Sequence, residues 1–373
     1  MEKVQNFIDQ YLEDFIPTTD KWNYEDGCVL RGAQLLYQET GNKKYFDFIE
    51  NYLRNYIKEN GDIKHYNIKE YNIDKINCGK VLLFMFKTTK ESKYLNAAKL
   101  LRKQLENQPR CKCGSFFHKA IYPYQVWLDG VYMGLPFLME IDSYLNNFNC
   151  YEDIKNQINN TNQYLYDEEK HLHYHAYDET HSIFWSDKNT GCSKNFWLRS
   201  IGWHLMALVD IISLTSTDMY MDYRYYIEYF RKTLDGILEY QDTESKLFYQ
   251  VVDKKDYKNN YLETSGSLMI AYSIFKACNL RIIDSNKYFK IGNEIFKNII
   301  DTKLKEKSDK LILKDNCSVA GLGPYDNLRR DGTIEYYLSE PITDNDKKSV
   351  GTFLMAYSQY LEYNKNWRYI NES

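Results

Sequence analysis

Apolar residues recur at helical spacing from one end of the chain to the other, while the strict alternation of a half-buried strand is scarce. The segments fall in pairs: Val29 to Tyr37 with Tyr45 to Ile57, Val81 to Phe86 with Tyr94 to Leu105, and Phe137 to Tyr144 with Tyr151 to Tyr166. Trp203 to Leu214 pairs with Tyr226 to Tyr240 and Leu268 to Ala277 with Tyr288 to Ile300, and Val350 to Tyr363 comes last. One member of each pair is strongly apolar and the other amphipathic, which suits an inner ring of buried helices wrapped by an outer ring exposed on one face. A glycine stands at or near the start of each apolar segment: Gly27 or Gly32, Gly79, Gly130, Gly202, Gly266 and Gly351. Their intervals, about 50 to about 85 residues, match one helical hairpin with its loops. Six hairpins closing on themselves predict an all-α fold, an (α/α)6 barrel, with residues 1–373 as a single catalytic domain. An open solenoid would need a tighter period. Glycines at these points would let backbone or substrate approach closely, so function is expected on the rim where inner helices begin.

Composition narrows the partners. The chain is 43% hydrophobic and 27% charged with no linker-like Pro/Gly/Ser run, and its net charge of −4 is spread evenly. No electrostatic footprint for nucleic acid stands out. Thirty-six tyrosines suit contact with sugars or peptides through flat apolar faces with polar edges, although most would equally serve a Tyr-rich core. The start, MEKVQNFIDQYLEDF, has no uninterrupted apolar stretch, and no run reaches membrane-spanning length. Eight scattered cysteines in such a chain predict reduced thiols and a cytoplasmic location. Cys111-Lys112-Cys113 lacks a second close Cys or His pair, so neither a metal site nor a cofactor is expected. There is no phosphate cradle, nucleophile elbow or nicotinamide fingerprint; GLGPYDNL, 321–328, reads as a glycine turn closing the rim.

The rim loops hold the candidate chemistry. HKAIYPYQVWLDG places Asp129 between Trp127 and Val131 at a helix start, behind His118 and Lys119. YNIDKIN places Asp74 at the analogous point one repeat earlier. Two carboxylates facing one pocket beside apolar groups would push one pKa up, leaving a protonated acid next to an ionised partner, as general-acid work on a glycosidic or enol-ether bond demands. The competing reading is capping, since Asp before a helix is a favoured N-cap and the dipole would lower its pKa. Pro136 either begins the regular helix or kinks it. In FWLRSIGW, Arg199 lies between Trp197 and Trp203, a cation beside flat faces that suits a carboxylated sugar; its structural alternative is pairing with a rim acid. His171, His173 and His175 crowd into one short segment, where exposed turn histidines are the commonest outcome.

Three motifs carry a family resemblance. HK-x-x-YP-x-Q-x-WLDG-x-YM-x-x-PFL, FW-x-R-x-x-GW-x-x-MALVD and AGLG…RDG-x-x-EYYLSEPI-x-x-ND-x-K resemble the unsaturated rhamnogalacturonyl hydrolases, glycoside hydrolase family 105. The match extends from W-x-YE-x-G at Trp22 to the last helix. The resemblance implies an (α/α)6 barrel that removes the terminal 4,5-unsaturated uronic acid left on oligosaccharides by polysaccharide lyases. The chemistry it implies is hydration of a vinyl ether, with Asp129 as the acid and Asp74 as its partner aspartate. It also implies that His118, His175, Arg199, Trp197 and Trp203 contact the uronate; Lys119 and Trp127, on the same rim loop as Asp129, are expected to bind substrate beside them. His175 is distinguished from its two neighbouring histidines only by alignment, and a shift of two is open.

Departures from the family pattern, LRSI between Trp197 and Gly202 and Lys347-Lys348-Ser349-Val350-Gly351 in place of K-G-V-G, leave the leaving-group sugar open. Unsaturated glucuronyl hydrolases acting on glycosaminoglycan fragments are the nearest alternative. A non-hydrolytic sugar epimerase working through histidine pairs and a carbohydrate-binding scaffold whose aspartates only cap are the others. The expected partner is an oligosaccharide, with no nucleic acid and no membrane, and the expected state is a monomer or weak homo-oligomer.

Overall fold

A computed structural model describes all residues except 1, 19, 149, 217 and 373, and the side chains of 367–372 also lie outside the description. The apolar segments form inner helices α2 (Tyr24–Thr40), α4 (Leu82–Thr89), α6 (Leu128–Tyr144), α8 (Leu198–Leu214), α10 (Thr264–Asn279) and α13 (Lys347–Glu372). A 3-10 stretch, Ile73–Val81, leads into α4, and a short helix, α12 (Ile334–Ser339), precedes α13. Each inner element packs on the next and α13 returns to α2, closing the ring. The amphipathic partners α3 (Lys43–Tyr56), α5 (Ser92–Glu106), α7 (Cys150–Leu165), α9 (Tyr220–Leu238) and α11 (Ser285–Thr302) lie outside. The sixth outer position is taken by α1 (Glu2–Glu13), whose Phe7 meets Phe353 of α13 edge-on at 5.4 Å. The fold is therefore the (α/α)6 barrel the hairpin count predicts, with a core cluster running from Val4 to Tyr357. Among the described residues, no helix is long and apolar enough to cross a membrane.

The glycines serve the ring itself. A Cβ on Gly27 would lie 2.6 Å from the Cys78 backbone, and one on Gly351 would lie 2.4 Å from that of Cys28. These contacts bring neighbouring inner elements together rather than admitting substrate.

Helix α6 begins nine residues before the predicted Phe137 and runs through Pro136 without a break. Proline at 136 removes the donor that would bond the Tyr132 carbonyl one turn back. The buried Lys80 ammonium donates to that carbonyl at 2.7 Å and sits 3.2 Å from the Tyr132 ring centroid. Both contacts compensate the lost helical bond and the desolvation of the cation.

Short strands, not foreseen by the helical pattern, decorate the rim. The pair that matters is β1 (Gln125–Trp127) with β4 (Ala176–Asp178); β2 (Tyr166–Asp167) pairs with β3 (Leu172–His173) beside it.

Candidate active site

The β1–β4 ladder positions the candidate acid. Its antiparallel register sets Trp127 opposite Ala176, and Leu128 N–H donates to the His175 carbonyl at 3.2 Å. Asp129 follows in the first turn of α6, so pairing in the ladder dictates that its side chain meets His175. His175 Nε2 stands 3.1 Å from Asp129 Oδ2. The contact is close but is not aligned as a hydrogen bond, and neither atom has another partner among the described residues. On its far side His175 Nδ1 is 2.8 Å from the Tyr337 hydroxyl. With Tyr337 donating to Nδ1, the ring proton sits on Nε2 and faces the carboxylate.

Asp129 is not a helix cap. Trp127 occupies the cap position with no side-chain capping bond. The Asp129 side chain keeps 15% exposure while His175 has none, so its free oxygen is reachable from the rim.

Asp74 is held differently. Asn72 caps the 3-10 stretch by accepting from Asp74 N–H at 3.1 Å, leaving the Asp74 carboxylate for Lys119 at 2.6 Å and His118 Nε2 at 3.5 Å. Burial pushes the Asp74 carboxyl up, but Lys119 and His118 outweigh it and hold it below the usual carboxylate range. The expected pair of carboxylates acting on each other is thereby modified: Asp74 is an ionised group already matched by a cation. His118 is buried, and burial holds its imidazole down to about 4 even though both Asp74 and Asp129 act to raise it. His118 lies so close to the start of α6 that a Cβ on Gly130 would meet its Nδ1 at 2.8 Å. That Nδ1 also lacks a partner among the described residues.

Aromatic rings wall the group. Trp127 stacks on His118 at 4.7 Å and on Tyr122 at 5.0 Å. Those two rings are only 6.3 Å apart, so they share one face of the indole. Trp127 and Trp197 approach His175 at 5.3 and 4.6 Å, and Tyr337 stacks on Trp197 at 6.1 Å. The turn at 321–328 closes over this wall: Gly321 N–H donates to the Tyr336 hydroxyl at 2.9 Å, and Gly321 backs onto the edge of Trp127.

The remaining predicted residues separate. Arg199 is buried 4.9 Å from the Trp197 ring and donates to the Cys317 carbonyl and, at 3.3 Å, to Ser265 Oγ. It forms no ion pair among the described residues, contrary to its structural alternative, and its Nε is left without a partner. Trp203 is one turn deeper in α8, buried, and stacked on Tyr132 at 4.7 Å. It is a core residue rather than a substrate contact, because four residues along a helix is one turn further from the rim. Of the three crowded histidines only His175 enters the site. His171 is exposed beside Glu239, and His173 is buried against Tyr229 and His204.

Tyr337 and Tyr122 escaped the sequence reading. Tyr337 lies within EYYLSEPI, but one tyrosine among 36 carries no signal until the fold sets it against His175.

Chemically, the site offers a reachable carboxyl group steered by a buried histidine, an ionised aspartate–lysine pair and an aromatic wall. These are the parts of an acid catalyst for an anionic sugar. Residues 1–364 match the family model Glycosyl Hydrolase Family 88. A solved family 105 glycoside hydrolase of C. acetobutylicum ATCC 824 is 39% identical and superposes with a TM-score of 0.92 over 96% of this chain and 99% of that one. The unsaturated rhamnogalacturonyl hydrolase YesR of Bacillus subtilis is 24% identical over 75% of this chain and 77% of its own. An unsaturated glucuronyl hydrolase of Bacillus sp. GL1 is only 11% identical, covers 96% and 94% of the two chains and shares the fold at a TM-score of 0.66. The chain therefore belongs to the unsaturated uronyl hydrolases of the family 88 and 105 group and is a glycoside hydrolase acting on an oligosaccharide.

Proposed function

We propose that this enzyme removes the terminal 4,5-unsaturated uronic acid from rhamnogalacturonan disaccharides released by a lyase. Asp129 donates its proton to C4 of the C4=C5 bond, and the positive charge that develops is shared by C5 and the ring oxygen. Water adds at C5 and returns a proton to Asp129. The hemiketal then opens at the ring oxygen, and the freed C1 hemiacetal expels the leaving sugar. In this reading His175 steers the Asp129 carboxyl, and Asp74 with His118 and Lys119 binds the uronate hydroxyls. Trp127 and Trp197 wall the ring, and Arg199 directs its unpaired Nε at the uronate carboxylate.

The observation that carries the proposal is the Asp129 carboxyl, 15% exposed at the rim, whose inner oxygen Oδ2 is buried 3.1 Å from His175 without a hydrogen-bond partner among the described residues. A buried polar atom without a partner is costly, and a substrate atom at that point would relieve it. The test is a panel of lyase-generated disaccharides from pectin and from glycosaminoglycans, followed by loss of the ultraviolet absorbance of the C4=C5 bond. Faster turnover of the rhamnose-linked substrate is expected. A preference for amino-sugar fragments would reassign the leaving group, and an inert panel would refute vinyl-ether hydration.

A further inference from the structure

A second cluster of reactive side chains lies behind the ladder, outside the proposed active site. The hairpin closed by the Arg110–Phe116 bridge turns through Cys111-Lys112-Cys113-Gly114. Cys111 N–H donates to the Ser115 carbonyl and Gly114 N–H to the Cys111 carbonyl, both at 2.9 Å. Gly114 adopts φ +92°, a backbone angle that favours glycine, and the tight turn brings the two thiols together. Sequence alone supplied no third donor, but the fold does. Glu179, directly after β4, accepts the backbone N–H groups of Lys112 at 2.8 Å and Cys113 at 2.9 Å. One Sγ from each cysteine and one Glu179 oxygen lie within 4.8 Å of one another. Asn160 steadies the other side by donating to the Cys113 carbonyl and Ser115 Oγ.

We propose that Cys111, Cys113 and Glu179 bind one thiophilic divalent cation of the zinc and cadmium class, tying the hairpin to the strand that carries the active-site ladder. Two sulfurs exclude magnesium and calcium as good occupants, whereas mixed sulfur and oxygen donors suit zinc. With bonds of about 2.3 Å to sulfur and about 2.0–2.2 Å to oxygen, donors around such an ion sit roughly 3.5 Å apart, so a modest contraction completes the site. A carboxylate oxygen that accepts one N–H still has a lone pair free. Water fills the fourth position, and any thiol proton remaining on the two cysteines is released to solvent on binding. Because Glu179 follows β4 and Cys111 packs with Val126 of β1 and Tyr177 of β4, the bound ion would stiffen the ladder beneath Asp129 and His175.

The test titrates the reduced, full-length protein with Co²⁺ and follows the thiolate-to-cobalt charge-transfer band. We expect saturation at one equivalent, loss of the band in Cys111→Ser and in Cys113→Ser, and affinity lowered at least about tenfold in Glu179→Gln. Should either serine variant fail to fold, wild-type protein is treated with a thiol reagent with and without Cd²⁺. Cys113 is the one partly exposed cysteine among the eight, and bound Cd²⁺ should slow its modification at least about tenfold. A missing band, a band that persists in Cys111→Ser/Cys113→Ser, or unchanged thiol reactivity with Cd²⁺ would each overturn the proposal. Ordinary turnover of unsaturated substrates is unaffected by that outcome.

Discussion

The two ends of the barrel treat buried charge in opposite ways. At the far end, three turns down α8, Asp210 accepts from Tyr272 Oη and Lys276 Nζ, each at 2.7 Å. Lys80 is matched by the Tyr132 carbonyl nearby. Of the charged groups that act on Asp210 there, only Arg31 keeps an unpaired atom, its Nε. At the rim, Asp129 Oδ2, His175 Nε2, His118 Nδ1, Trp197 Nε1 and Arg199 Nε all lack partners. Both ends are closely packed, so burial alone does not separate them. What differs is satisfaction: matched charges lock a structure, whereas the unmatched polar atoms of the rim are where the proposed substrate would find partners.

Substitutions at the two ends should therefore part cleanly. Asp129→Asn should cut turnover of an unsaturated disaccharide by about two to four orders of magnitude, the usual worth of a general acid, with the melting curve unmoved. A variant retaining near wild-type turnover would end the proposed acid role. Lys276→Met should do the reverse, leaving Asp210 without its closest cation and costing about 3–5 kcal/mol of stability in denaturant titrations. Its kcat, measured on folded protein, should stay near wild type.

Acid should also distinguish the ends. His118 is depressed from 6.5 to about 4, so between these values the unfolded chain takes up a proton that the folded chain refuses. Stability from this group is intact above pH 6.5 and declines as pH falls toward 4, with a slope of about 1.4 kcal/mol per pH unit. His118→Gln should flatten that limb. Asp210 is lowered from 3.8, since Lys276 and its neighbouring cations outweigh burial, so its contribution survives that window and is lost only below it.

The smallest effect concerns positioning. Tyr337→Phe removes the partner of His175 Nδ1, and a loss of about 0.5–1.5 kcal/mol corresponds to roughly a two- to twelvefold fall in kcat with little change in KM. A shifted pH profile should accompany it, because the histidine tautomer is no longer fixed; an unshifted profile would leave Tyr337 as packing only.

Much of this architecture was legible in the residues themselves. Helical periodicity and the spaced glycines specify the hairpins, because burying one face of each helix leaves few closed arrangements. The collinear motifs point to Asp129, His118 and Lys119 and the repeat position to Asp74, and the structure gathers these at one rim. Local pattern failed where a residue's role depends on what it meets. Trp203 and Arg199 share one motif, yet a single helical turn sends the first into the core. Pro136 reads as a helix start or a kink, but Lys80, more than fifty positions earlier in the chain, supplies the missing donor.

The sequence by itself determined the ring of helices and the rim where carboxylates, histidines and indoles collect, since periodicity and composition act over a few neighbouring residues. Only the tertiary structure decided that Asp129 faces His175 rather than capping its helix. It alone also decided that Asp74 is matched by Lys119 and that Glu179 joins two thiols. Each of these depends on a contact between distant segments, and register across a strand ladder, unlike helix period, is not written in either segment alone.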